Sequence, residues 1–104
     1  MYQEGLRLHQ EGKMDSAITK YQEALKYNPK LADAHNQLAL IYMNQGTVRS
    51  RFVAGIELEK AIKLDWNNPE YRFNKALLFL KKDMAYSALR EFKKVIKLDP
   101  DNFE

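Results

Sequence analysis

Cysteine is missing from this chain of 104 residues, and proline and glycine are scarce, at three and four. Without cysteine there is no disulfide and no thiolate chemistry. So few turn-formers argue for helices rather than β-turns and long loops. No apolar run approaches the roughly 18 residues that a membrane span needs. The opening MYQEGLRLHQEG lacks the apolar centre of a signal peptide, so a cytoplasmic location is expected. A dense basic stripe is missing too. Residues 1–48 carry 5 Lys/Arg and 5 Asp/Glu, and those from Arg49 onward 12 and 9. A net charge of +3 is mild beside that of dedicated nucleic-acid domains, so nucleic acid is not an expected partner. What is present, 45% hydrophobic and 30% charged residues, suits one small globular domain.

The chain repeats itself. YQEALKYNPKL from Tyr21, LEKAIKLDWNN from Leu58 and FKKVIKLDPDN from Phe92 share an apolar start, a small residue three on, a basic residue and a polar turn. Ala17, Ala54 and Ala88 correspond, separated by 37 and then 34 residues. Earlier in each unit Gly5, Ala39 and Ala76 correspond, separated by 34 and then 37, as do Gly12, Gly46 and Asp83. One period of 34 explains both series if three residues are inserted within TVRSRFV, Thr47 to Val53. That insertion reads as a longer turn, an extra helical turn or, with Arg49 and Arg51 beside Phe52, a basic contact for an acidic partner.

Spacing within a unit is helical. Ala17, Tyr21, Ala24 and Leu25 follow i, i+4, i+7 and i+8. Gly12 and Gly46 suit left-handed helix ends, Pro29 and Pro100 stop the helices before them, and Asn68–Pro69 reads as an N-cap and first-turn proline. The expectation is six helices, at 1–11, 14–27, 32–45, 50–64, 69–82 and 85–98.

Two helices per 34 residues, with a small–x3–large–x2–small pattern and a closing proline, resemble the tetratricopeptide repeat (TPR) family. The matching residues are Gly5, Leu8, Ala17, Tyr21, Ala24 and Pro29 in the first unit. The second has Leu38, Ala39, Tyr42, Ala54, Leu58 and Ala61, and the third Ala76, Phe79, Ala88, Phe92, Val95 and Pro100. Departures exist. The family's early Trp is Met1, His35 and Arg72, its early Leu is Glu4 and Lys75 in units one and three, and its terminal Pro is Trp66 in unit two. The resemblance implies an all-α, right-handed α-solenoid of three helix-turn-helix units, residues 1–31, 32–68 with the insertion, and 69–102. DPDNFE repeats the start of DWNNPE at spacing 34, so the chain is expected to be a piece of a longer array or to have its ends covered by neighbours.

No catalytic constellation is present. His9 and His35 lie on different expected helices with no His or Cys at i+3 or i+4, which suits packing rather than metal ligation. Ser16, Ser50 and Ser87 fall at helix starts, as caps rather than nucleophiles, and the glycines never cluster into a phosphate loop. The expectation is a protein that is not an enzyme and takes no metal or cofactor.

The resemblance implies instead that the first helix of each unit lines a concave groove. By register its stripe is Tyr2, Leu6 and His9, then Asp33, Asn36, Gln37, Leu40, Met43 and Asn44, then Glu70, Phe73, Asn74, Leu77, Leu80 and Lys81. Asn36, Gln37 and Asn74 are expected to bond a peptide backbone while Leu40, Phe73 and Leu77 take its side chains. Some family members grip the C-terminal carboxylate of large chaperones with Lys, Asn and Arg. The corresponding places here hold Tyr2, Leu6, Gln37, Glu70 and Asn74, so no such clamp is expected. The partner is a protein or peptide of unknown identity; the alternative is structural, with units stacking or swapping between copies.

Overall fold

The computed structural model describes residues 1–98 as six α-helices: α1 (Tyr2–Gln10), α2 (Met14–Tyr27), α3 (Ala32–Gln45), α4 (Val48–Leu64), α5 (Pro69–Lys81) and α6 (Ala85–Leu98). Pro100 and the expected helix start at Asp99–Glu104 lie outside the described residues. Successive helices pair as hairpins, α1 with α2, α3 with α4 and α5 with α6, and each hairpin packs on the next through α2 against α3 and α4 against α5.

The local signals act where they were expected. Gly12 and Gly46 take φ of 80° and 77°, and Asp83, in register with them, takes φ of 60°. These three left-handed residues turn each first helix back into its partner. Asn28 is extended (φ −141°, ψ 92°), the conformation proline imposes on the residue before it, and α2 stops there. Asn68 Oδ1 accepts the backbone N–H groups of Glu70 (3.0 Å) and Tyr71 (3.3 Å), capping α5 with Pro69 at its first turn. One boundary differs from expectation by more than a residue: α4 begins at Val48, two residues early. Thr47 and Ser50 form a capping box, with Ser50 N–H donating to Thr47 Oγ1 (2.9 Å) and Thr47 N–H to Ser50 Oγ (3.0 Å). The three extra residues therefore extend a helix of 17 residues, where α2 and α6 have 14.

Hydrophobic burial runs along the stack and is not gathered at one centre. Ala17, Ala54, Ala88 and Ala61 are fully buried, which lets paired helices approach closely, and Tyr21 and Leu58 fill the space beside them. One cluster joins Leu8, Ala17 and Tyr21 to Leu38 and Ile41 of the next hairpin. A second joins Ala39, Met43, Ala54 and Leu58 to Leu78, and a third joins Ala61 and Ile62 to Tyr71. Each cluster straddles two hairpins, so no hairpin completes its own core.

Two departures from the family pattern turn into paired contacts. His35 and Arg72 stand at the early Trp position of units two and three. His35 Nδ1 lies 2.6 Å from Glu57 Oε2, and Arg72 Nη1 lies 3.9 Å from Glu91 Oε2. Glu57 and Glu91 are 34 apart in sequence, so the same exchange occurs twice. Arg72 also lies over the ring of Trp66, 4.5 Å from its centroid, and donates from Nε to the Trp66 carbonyl (3.2 Å). The aromatic that the helix lacks is supplied from the preceding turn.

Candidate functional site

The candidate stripe lies on the first helices α1, α3 and α5. On α1, Tyr2 and Leu6 are half-buried against the first cluster, and the Tyr2 ring sits 5.7 Å from that of Tyr21. His9, also half-buried, holds Nδ1 3.2 Å from the Tyr21 hydroxyl. On α3 and α5, Leu40 and Leu77 are half-buried and flank the second cluster. Gln37 and Phe73 are half-buried, and Lys81, Asp33, Asn44, Glu70 and Leu80 are exposed. Phe73 meets Phe92 edge-on at 5.6 Å.

Three side chains of the stripe sit in the wall and not on its face. Met43 is 3% exposed and belongs to the second cluster. Asn36 (1% exposed) and Asn74 (6%) bond to each other, Asn74 Nδ2 donating to Asn36 Oδ1 over 2.9 Å. Asn36 Nδ2 also reaches Glu70 Oε1 at 3.4 Å. These amides were expected to offer free donors and acceptors to a peptide. Buried amides must be partnered, and each here partners the other across the contact between α3 and α5. Gln37 is left as the half-exposed amide of the three.

Beside that pair, the Tyr71 hydroxyl donates to Asp33 Oδ1. Residue types alone did not single out Tyr71. The signal that finds it is the spacing of 38 shared by the pairs Asp33–Tyr71 and Asn36–Asn74. Burial pushes the Tyr71 phenol far above its ordinary value, and the bond to Asp33 pushes it further. The Tyr2 phenol is raised as well, first by burial and then by the carboxylates of Asp33 and Glu70. Burial, and secondarily Tyr2, takes the Tyr21 phenol up to about 12. One end of the stripe is thus acidic, with Asp33 and Glu70 in the first turns of α3 and α5. Among the described residues neither carboxylate has a basic side chain in ion-pair range.

Among the described residues no three His, Cys, Asp or Glu side chains gather as a metal site would require, and no helix is long and apolar enough to cross a membrane. What the stripe leaves exposed or half-exposed is apolar side chains, His9, two amides (Gln37 and Asn44), the carboxylates of Asp33 and Glu70, and Lys81.

Comparison with known proteins gives the fold independent support. No curated protein matches the sequence. Among solved structures, the first TPR of Spaghetti (RPAP3), bound to the HSP90 peptide SRMEEVD, superposes with a TM-score of 0.87 at 20% identity. That match covers 98% of this chain and 79% of the other. The MamA protein superposes with a TM-score of 0.84 at 24% identity, covering 99% of this chain and 56% of MamA. A TPR repeat profile matches residues 5–46 and a tetratricopeptide repeat profile matches residues 69–102. Residues 47–68, outside both, hold the three-residue insertion. Three stacked hairpins in a 34-residue register, matched by profile over the first unit, the first helix of the second and the third unit, establish that the chain belongs to the tetratricopeptide repeat family.

Proposed function

We propose that the chain is a non-enzymatic scaffold that binds a peptide or partner helix along α1, α3 and α5, and that it does so without a carboxylate clamp. The observation that carries this is the run of Leu6, Leu40, Phe73 and Leu77 on successive first helices, with Asp33 and Glu70 at one end. TPR proteins are interaction modules as a class, and the similar domain of Spaghetti holds an HSP90 peptide. That peptide is acidic. Here the clamp positions carry no cation, and Glu70 stands at one of them. A carboxylate about 4 Å from another is repelled by roughly 1–4 kcal/mol, depending on solvent exposure. Four apolar contacts gain about 1.5–3 kcal/mol each, and association costs on the order of 4–15 kcal/mol, which leaves at best about 8 kcal/mol. Binding by these units alone is therefore expected near micromolar or weaker.

The test is affinity capture with the natural chain against Leu40→Glu plus Leu77→Glu, with peptide SRMEEVD as a separate titration. Loss of the captured set in the double variant, and no binding of SRMEEVD, are the expected results. Identical captured sets refute the groove; tight SRMEEVD binding refutes the missing clamp.

A second reading, assembly between copies, is favoured by α6. Ile96 is 47% exposed, whereas its counterpart Ile62, one period earlier, is 3% exposed beside Tyr71 of the next hairpin. Light scattering across concentration separates the two: a monomer at every concentration rules assembly out.

A further inference from the structure

A hollow of about 450 Å³ opens between α4 and α5, lined by Phe52, Gly55, Ile56, Leu58, Leu78 and Phe79, with three cations, Lys60, Lys63 and Lys75, and one carboxylate, Glu59, among its lining. Register explains why it is there. Gly55 stands where unit one has Ile18 and unit three has Leu89. Ile18 packs against the cluster that contains Ile41 of the next hairpin and so seals the first junction between hairpins. A Cβ on Gly55 would meet only Leu78 Cδ2, at an ordinary 3.6 Å, so the backbone is not what forbids a side chain there. A glycine within a helix is a poor helix former, and here no close approach requires it. Lys75 likewise stands where unit two has the buried Leu38.

The rim has changed in the opposite sense. Phe52 and Ile56 replace Asp15 and Thr19 of unit one. The first junction has a plugged centre and a polar rim, and the second an open centre and an apolar rim. At 100° per residue, Arg49, Phe52, Ile56, Lys60 and Lys63 fall within about 80° of one another around α4. Phe52 is 65% exposed and Ile56 41%. An exposed apolar stripe thus has cations at both ends. Lys75 is tied to Glu59 (3.0 Å) and Glu91 (3.6 Å), and Lys60 to Glu57 (3.7 Å). Lys63 and Arg49 have no acidic side chain in ion-pair range among the described residues. On α5 the hollow uses Lys75, Leu78 and Phe79, which lie about 100–200° around the helix from Phe73 and Leu77 of the groove stripe. The two surfaces therefore face different ways.

We propose that this junction is a second docking site, and that its occupant is an acidic amphipathic helix of a partner protein, laid along α4 with one apolar side chain seated beside Gly55. The stripe has the i, i+4 period that a helix-in-groove contact reads. The hollow has the volume of a binding pocket, and the excess of lysine and arginine selects a negatively charged partner. A flat anionic surface would use the stripe and the cations but would leave the hollow unfilled. This site does not depend on the groove proposed above.

The test uses two synthetic four-turn amphipathic helices with the same leucine face, one ringed by glutamate and one by lysine, titrated into the isotope-labelled chain to about 1 mM. The acidic helix is expected to shift the amide resonances of residues 52–63 and 75–79, and the basic helix to leave them in place. Gly55→Leu, which puts a side chain where Ile18 plugs the first junction, is expected to weaken the acidic helix at least tenfold with unchanged helical circular dichroism. Lys60→Glu plus Lys63→Glu is expected to reverse the preference to the basic helix. The proposal falls if the acidic helix moves only resonances around Leu40 and Leu77, if Gly55→Leu binds it as well as the natural chain, or if neither helix binds. It also falls if phosphatidylserine vesicles shift the same resonances and Gly55→Leu leaves that binding untouched.

Discussion

One substitution, made at two glycines, is expected to change stability in opposite directions. Gly5 lies in α1 against the ring of Tyr21, which is fully buried between α1 and α2. A Cβ on Gly5 would stand 2.6 Å from Tyr21 Cε1 and 2.7 Å from Cδ1, inside any tolerable contact. The ring has little freedom to yield: the Tyr2 ring lies tilted against it at 5.7 Å and His9 Nδ1 approaches its hydroxyl at 3.2 Å. Overpacking of this kind costs about 1–3 kcal/mol, against about 0.5–1 kcal/mol gained from replacing a helical glycine by alanine. The central values leave Gly5→Ala less stable by about 1 kcal/mol, lowering Tm by roughly 4–8 °C for a domain of this size. Gly55→Ala meets only Leu78 at 3.6 Å, so the helix term stands alone and stability should rise by about 0.5–1 kcal/mol. Thermal and urea unfolding followed by circular dichroism measure both. Combining Gly5→Ala with Tyr21→Leu should cost at least about 1 kcal/mol less than the sum of the single changes, because the clash is gone. If Gly5→Ala is as stable as the natural chain, α1 and α2 do not approach as described.

Two further outcomes follow from the polar contacts. Asn74→Ala leaves the buried Asn36 amide without its 2.9 Å partner and should cost about 1–3 kcal/mol, whereas Asn36→Leu with Asn74→Leu should cost less than Asn74→Ala alone, as urea midpoints would show. The phenols of Tyr2, Tyr21, Tyr42 and Tyr71 are all raised above their ordinary value of 10.0. Above that pH the unfolded chain gives up these protons and the folded chain keeps them, so stability is whole below pH 10.0 and falls as pH climbs toward about 12, the value for Tyr21. Circular dichroism and tyrosinate absorbance should then change together; ionisation of all the tyrosines near pH 10 with the fold intact would contradict their burial.

Helices and their faces were legible because they repeat. The alanines at 17, 54, 61 and 88 declared their role by register, and all four are buried. Even the non-glycine turn at Asp83 could be read from its alignment with Gly12 and Gly46. The start of α4 was misplaced because Thr47 and Ser50 cap each other through side chains three apart, a detail that apolar period does not report. The larger gap was at the stripe. Period tells which face of α3 Asn36 occupies. It does not tell that Asn74, 38 residues away, faces it closely enough to satisfy both amides. Whether a polar residue on a face is available depends on its neighbour in space, and the neighbour belongs to another unit.

The insertion in α4 separates two quantities that a repeat protein might be thought to hold together. Three more residues lengthened one arm of a hairpin, yet Ala54, Leu58 and Ala61 kept their buried places. Arm length is thus free to vary while the buried positions of the hairpin keep their register. Growth at a hairpin tip adds reach and new chemistry outside the pile, and it leaves the geometry that stacks the pile untouched.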